Sequence, residues 1–302
     1  MYISLVIPAY NEEKNIPILY ERIVSVMEKH KFECIFVDDG SSDGTFEMIK
    51  QLSQKFDEVK GLAFSRNFGH QTALLAGVSD AKGDVIITMD ADGQHPPELI
   101  PDLLNKMNEG YDVVNTKRNL TADAGLFKNL TSSWYYKIIN KLTEVRIEPA
   151  SSDFRLMSRT AVDAFLSFPE KDRFTRGIIS WMGFHQSVVH FDAPARMSGQ
   201  SKYTLKKMVR FAWDGVTSFS SKPLKISMVF GVLSLIFGLL YATYTIVIFF
   251  LGKAIPGWTS MMLVILFLGG IQLLSLGIIG EYLARIFSES KNRPHFFIRD
   301  RC

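Results

Sequence analysis

The chain has 302 residues, of which 47% are hydrophobic, and carries a formal net charge of +3 at pH 7. That length accommodates one large domain and something smaller, and so small a charge gives no reason to expect nucleic acid as a partner. The two cysteines, Cys34 in an apolar run and Cys302 at the end, form neither a disulfide framework nor a metal-ligand pattern. They fit a reducing compartment, with Cys34 as a core residue.

Tyr2-Ile3-Ser4-Leu5-Val6-Ile7 has no basic stretch before it and no cleavage site after it, so it reads as a first strand and not as a signal peptide. Apolar periodicity then predicts a helix over 12–29, a strand over 34–38 and a helix over 45–56. A strand over 61–65, a helix over 71–81, a strand over 84–89, a helix over 97–109 and a closing strand over 111–116 follow. Such alternation predicts an α/β fold with a mostly parallel sheet covered by helices. No GxGxxG follows the first strand and no GxxxxGK(S/T) occurs, which speaks against a dinucleotide-binding Rossmann unit and a P-loop.

The polar residues collect where predicted strands end. The first strand runs into Pro8-Ala9-Tyr10-Asn11-Glu12-Glu13 and the second into Asp38-Asp39-Gly40-Ser41-Ser42-Asp43-Gly44-Thr45. The third leads to Ser65-Arg66-Asn67-Phe68-Gly69-His70 and the fourth to Met89-Asp90-Ala91-Asp92-Gly93-Gln94-His95-Pro96-Pro97. Each cluster alone is readable as turn and cap residues. Together, at the carboxyl ends of strands in one sheet, they would line a single crevice, which is where open α/β sheets bind ligands. Asp90 and Asp92, separated by one small residue, suit a hard cation such as Mg²⁺ or Mn²⁺ that takes oxygen ligands and leaves room for phosphate and water. A solvated acidic turn is the plainer alternative for that pair. A crevice holding carboxylates, an arginine and aromatic surface suits a nucleoside diphosphate.

The other end of the chain is of a different kind. Ile226–Leu251 and Ala254–Gly280 contain no charged residue. Each is long enough to span a bilayer and lacks the polar face usual for long core helices. Basic residues gather before the first stretch (Lys202, Lys206, Lys207, Arg210, Lys222, Lys225) and after the second (Arg285, Lys291, Arg293, Arg299, Arg301), whereas the connection over 252–260 has one lysine. This predicts both termini in the cytosol and a short external loop. Tyr203–Ser221 mixes basic and apolar residues in a pattern expected of an amphipathic helix on the inner membrane face.

Val6-Ile7-Pro8-Ala9-Tyr10-Asn11-Glu12-Glu13, Val37–Thr45 and Met89-Asp90-Ala91-Asp92 resemble the GT-A glycosyltransferases of family 2. Arg66-Asn67-Phe68-Gly69-His70-Gln71, Ser152-Asp153-Phe154-Arg155-Leu156, Ser201-Lys202-Tyr203 and the two C-terminal apolar stretches narrow the resemblance. They are similar to the polyprenyl-phosphate glycosyltransferases, the dolichol-phosphate-mannose-synthase-like group that includes bactoprenol glucosyltransferases. The resemblance runs over essentially the whole chain. It implies a GT-A nucleotide-sugar-binding domain over 1–200, a juxtamembrane amphipathic helix over 201–225, two transmembrane helices over 226–283 and a cytosolic basic tail over 284–302.

The resemblance further implies inverting transfer of one hexose, with glucose favoured and N-acetylglucosamine or galactose as alternatives. The donor would be a UDP-sugar and the acceptor undecaprenyl phosphate, at the cytosolic face of the cell membrane, supplying a lipid-linked sugar for cell-surface polymers. Pro8, Tyr10, Glu12, Asp39 and Asp90 would hold the nucleotide, and Asp90, Asp92 and Gln94 would hold Mg²⁺ or Mn²⁺. Arg118, Arg155, Arg196, Ser201 and Lys202 are the expected contacts to the acceptor phosphate, since arginine forks bind phosphate oxygens in pairs. Asp92 and Asp153 are the expected catalytic residues. A general-base role for Asp153 is unnecessary, because a phosphate monoester with a second pKa near 6 is already an anionic nucleophile. Membrane lipids and a second copy of the chain are further expected partners. A processive polysaccharide synthase and a non-catalytic nucleotide-binding scaffold are the alternatives. The first lacks support because no Q-x-x-R-W motif is present.

Overall fold

The computed structural model describes residues 1–119, 151–170, 173–192, 220–251 and 257–302. β1 (Tyr2–Ala9), α1 (Asn15–Met27), β2 (Lys31–Asp38), α2 (Thr45–Ser53), β3 (Val59–Phe64), α3 (His70–Asp80) and β4 (Val85–Thr88) alternate as predicted. A 3₁₀ turn at Pro97–Leu99 runs into α4 (Ile100–Asn108), followed by β5 (Val113–Arg118). α1 begins later than the expected residue 12. Asn11 takes a left-handed conformation (φ 58°), and the Glu12 amide donates to Thr45 Oγ1 at 2.9 Å, so these residues form a turn against the next loop.

The described strands form one eight-stranded sheet, and three of its strands were not foreseen. These are β6 (Ser151–Ser158), β7 (Gln186–Phe191) and β8 (Ile298–Arg301); α5 (Arg159–Leu166) and α6 (Thr175–Trp181) lie between β6 and β7. The strand order is β7-β5-β6-β4-β1-β2-β3-β8. β4, β1, β2 and β3 run parallel, β6 enters antiparallel between β4 and β5, and β7 lies parallel to β5. The expected cytosolic tail contributes the last strand, since β8 pairs antiparallel with β3.

Alternation along β1 divides the core. Ile3, Leu5 and Ile7 face a cluster with Ile16, Leu19 and Ile23 of α1, whereas Val6 faces one with Ala73, Leu74 and Ala76 of α3. Burying each aliphatic side chain contributes about 1.5–3 kcal/mol. α3 lies close on β1 because Gly77 has no side chain; a Cβ there would come within 2.3 Å of Val6 Cγ1. Cys34 is fully buried, as expected for a core residue. Charged groups are buried as well, Glu33 among them. Glu33 pairs with Lys60 and accepts from Ser4 Oγ at 2.6 Å and the Lys82 amide at 2.8 Å.

α7 (Lys222–Phe250) and α8 (Trp258–Ser290) are apolar helices that touch through an edge-on contact of Phe237 and Phe267. Both are long and apolar enough to cross a bilayer, α8 over Leu263–Ser290. Many of their large apolar side chains are exposed; Phe250, for example, is 81% exposed. Surfaces of this extent require an apolar surrounding. Tyr282 Oη donates to the Ser220 carbonyl at 2.6 Å and ties the end of the hairpin to its start. The expected amphipathic helix falls outside the described residues, apart from Ser220 and Ser221.

Candidate active site

Pro8, Tyr10, Glu12, Asp39, Asp90, Asp92, Gln94, Arg118 and Asp153 all line one cavity of about 500 Å³. It opens at the carboxyl ends of the central parallel strands, where the sheet order changes direction around β1 and β4. Arg196, Ser201 and Lys202 lie outside the described residues.

One wall is made from loops that hold each other. The Asn11 amide donates to Ser41 Oγ and the Ser42 amide to Asn11 Oδ1, both at 2.9 Å. Asp39 accepts from the Phe68 amide at 2.7 Å and the Gly69 amide at 3.0 Å, which joins the loop after β2 to the loop after β3. Burial raises the Asp39 pKa, and these two amides only partly offset it. Burial likewise raises that of Glu12, whose carboxylate accepts from Asn15 Nδ2 and lies near Asp92 and Asp43. Tyr10, half exposed, stands at the mouth.

The Asp-x-Asp corner is built around a histidine that sequence reading did not assign. The Asp90 amide donates to His95 Nδ1 at 2.8 Å, so Nε2 carries the proton and faces Ser152 Oγ at 2.6 Å. Burial lowers the His95 pKa, and its ring stacks on Phe154. A neutral imidazole thus fixes the backbone of Asp90. Asp92 Oδ1 accepts from the Gln94 amide at 3.0 Å, which closes the turn. Asp90 Oδ1 is buried and, among the described residues, has no hydrogen-bond donor. His70 Nε2 lies 3.4 Å from it, an ion-pair distance too long for a strong hydrogen bond.

Asp153 is the other centre of charge. Arg155 Nη2 reaches its Oδ1 at 3.0 Å, while Arg176 reaches Oδ1 through Nε and Oδ2 through Nη2, both at 3.3 Å. His70 Nε2 lies 3.7 Å from Oδ2. Burial by itself would raise the Asp153 pKa, but His70, Arg176 and Arg155 outweigh it and hold the carboxyl well below its usual range. For His70, burial pulls the pKa down, and Asp153 and Asp90 more than compensate, so the net direction is up.

Arg155 does not sit where it was expected. It is 2% exposed, lies beneath Asp153, donates to the Ser152 carbonyl at 3.1 Å and does not line the cavity. The reason lies in the register of β6: Asp153, Arg155 and Met157 alternate onto one face, but Arg155 is paired with Thr88 inside the sheet, whereas Asp153 lies past the end of β4, at the cavity. Arg176, from the first turn of α6, lines the cavity instead. His70 and His95 stand inside sequence runs already singled out, but their contacts cross between strands. Arg176 had no local signal.

A parallel-centred sheet with an Asp-x-Asp turn at β4 and a carboxylate-lined cavity at its strand ends defines a GT-A glycosyltransferase domain. The family model described as "Glycosyl transferase family 2" matches residues 4–166, and the one described as "GtrB C-terminal hairpin" matches 222–286. A bactoprenol glucosyl transferase of Shigella phage SfV is 39% identical, over 99% of this chain and 99% of its own. A protein of Bacillus subtilis (strain 168), CsbB, provisionally named a glycosyltransferase, is 41% identical over 99% of this chain and 91% of its own. The chain belongs to glycosyltransferase family 2. A solved glucosyl-3-phosphoglycerate synthase from Mycobacterium tuberculosis with Mn²⁺ and UDP-glucose is 18% identical. It covers 72% of this chain and 77% of its own at a TM-score of 0.47, too distant to transfer any ligand contact.

Proposed function

We propose that the protein transfers one hexose, glucose in first place, from a UDP-sugar to undecaprenyl phosphate at the cytosolic membrane face, making a lipid-linked sugar for cell-surface polymers. The observation that carries this reading is the charge distribution of the cavity. Asp90 and Asp92 form an acidic corner, and Arg118 and Arg176 bring guanidinium groups to the same cavity, Arg176 beside the Asp153 carboxylate. An acidic corner suits a cation on a diphosphate, and the two arginines suit an anionic acceptor. Full-length similarity to proteins named bactoprenol glucosyl transferase supports a glucosyl donor and a polyprenyl phosphate acceptor.

Asp90, Asp92 and Gln94 fit a divalent cation. Asp90 Oδ1 is buried with no donor among the described residues, and two carboxylates with a carboxamide leave coordination places for phosphate and water. Among the described residues no group of three or more His, Cys, Asp or Glu could hold a metal ion by itself. When bound, Mg²⁺ or Mn²⁺ would offset the charge gathered on the departing diphosphate. Pro8, Tyr10, Glu12 and Asp39 hold the nucleoside. Arg118 and Arg176 receive the acceptor phosphate, assisted by Arg196, Ser201 and Lys202.

In the transfer, a phosphate oxygen of the lipid attacks the anomeric carbon from the face opposite the diphosphate. The new C–O bond forms as the old one breaks, the nucleoside diphosphate departs with the electron pair, and configuration inverts. No proton has to be removed from the acceptor. Asp153 suits this step as a carboxylate that orients Arg176 and His70, because three cationic neighbours make it a weak base.

The test is incubation of the purified full chain with undecaprenyl phosphate, Mn²⁺ and radiolabelled UDP-glucose, UDP-N-acetylglucosamine or UDP-galactose. Label should enter the organic phase from UDP-glucose and only when the lipid phosphate is present. Label remaining in the aqueous phase with every donor would overturn the proposal.

A further inference from the structure

The residues after α8 return to the catalytic sheet and grip the loop that closes the donor half of the cavity. β8 pairs with β3 through reciprocal bonds between Gly61 and Cys302, at 2.9 and 3.0 Å. The Ser65 amide donates to the Phe297 carbonyl at 3.0 Å, where β3 gives way to the 65–70 loop. Side chains continue the contact. The Phe296 ring stacks on Phe64 at 5.0 Å, Phe64 meets the edge of Phe68 at 5.6 Å, and the Arg66 guanidinium lies 4.0 Å above the Phe68 ring.

From the other side the loop presses on the turn after β2. A Cβ on Gly40 would lie 2.4 Å from the Arg66 carbonyl carbon, and Gly40 also has φ +70°, so only glycine fits there. Between these two supports, the Phe68 and Gly69 amides reach Asp39. Gly69, at φ +102°, turns the chain into α3, whose first residue, His70, stands beside Asp90 and Asp153. Arg301 also pairs with Asp80 at 2.9 Å, so the same segment touches α3 at its far end.

We infer that Phe296 and Phe297, which lead into β8, are a positioning element for the donor half of the cavity, with Phe296 setting the 65–70 loop and through it Asp39. The inference rests on the donor reading above only for the identity of the ligand. The contacts from Phe296 to Asp39 form one packed chain, and truncating one end loosens the amides at the other.

The experiment compares Phe296→Ala, Phe296→Leu and Arg301→Ala with the wild type in the detergent-solubilised full chain. Hydrogen exchange at the Phe68 and Gly69 amides is measured beside titration with UDP and Mn²⁺. Phe296→Ala should speed exchange at both amides. It should weaken UDP binding about three- to ten-fold, the usual worth of an aromatic pair, and leave acceptor KM at saturating donor nearly unchanged. Phe296→Leu should restore part of the loss, and Arg301→Ala, away from the loop, should match the wild type. If Phe296→Ala does not fold, Phe297→Ala, whose ring is 58% exposed and 6.4 Å from Phe68, should give a smaller change in the same direction. Unchanged exchange at the two amides, or an equal loss of donor and acceptor use, would overturn the inference. A wild type blind to UDP would sink the donor reading, while amide exchange would still decide for or against the positioning role.

Discussion

Two arginines share the Asp153 carboxylate, and their burial predicts opposite consequences of removing them. Arg155 is 2% exposed on its side chain and pairs with a carboxylate that is itself 12% exposed. Arg155→Ala strips a nearly water-free carboxylate of one cationic partner and empties the volume of the largest fully buried side chain in the described chain. Breaking a buried pair by removing one partner costs about 3–5 kcal/mol. At about 2–4 °C per kcal/mol for a domain of this size, the catalytic domain should melt about 6–20 °C lower. Arg176 is 27% exposed and lines the cavity. Arg176→Ala should leave the melting temperature close to wild type and lower kcat/KM for the acceptor about ten- to a hundred-fold, the equivalent of a charge-assisted contact of about 1.5–3 kcal/mol. Intrinsic fluorescence melting and an acceptor-dependence assay on both variants provide the comparison. An Arg155→Ala protein that melts like wild type but has lost acceptor affinity would refute this division, since it would mean that Arg155 reaches the phosphate.

Chelation by EDTA should abolish turnover and Mn²⁺ or Mg²⁺ restore it, while Asp92→Asn should fold normally and remain inactive; full activity of that variant in metal-free buffer would remove the cation from the cavity. The buried Glu33 makes a pH prediction. Burial alone would raise its pKa, but Lys60, Ser4 and the Lys82 amide outweigh burial and lower it. Its contribution is therefore complete above the unfolded-state carboxylate pKa and is lost as pH falls through the lower native value. Glu33→Gln should cost about 1.5–3 kcal/mol at neutral pH and flatten the acid limb of the stability curve, measured by denaturant titration across pH. A cysteine reporter placed in the 252–260 connection should react with an impermeant thiol reagent in whole cells, and reporters at either terminus should not; the reverse pattern would move the cavity to the wrong side of the membrane for UDP-sugars.

The sequence by itself determined the features that depend on neighbours along the chain. β-Branched runs alternating with amphipathic stretches define the β1–β5 series and its helices, because strand and helix periods are local. The acidic and glycine-rich runs fall at strand ends, so Asp39, Asp90, Asp92 and Gln94 could be assigned to one crevice before any coordinates. The uncharged stretches Ile226–Leu251 and Ala254–Gly280 marked the apolar hairpin on composition alone. Tertiary structure decided the rest, through pairings between distant segments. β6 inserts antiparallel between β4 and β5, with Phe154 and Met157 buried in the two core clusters; alternation in Ser152-Asp153-Phe154-Arg155-Leu156 cannot reveal that Asp153 meets the cavity and Arg155 the interior. Arg176 reaches Asp153 from the first turn of α6, a later segment of the chain, and His95 holds the Asp90 amide because the turn after β4 folds onto Ser152. β8 reads as a basic tail, since a four-residue edge strand has too few residues to show a period, and only the open edge of β3 turns it into a strand.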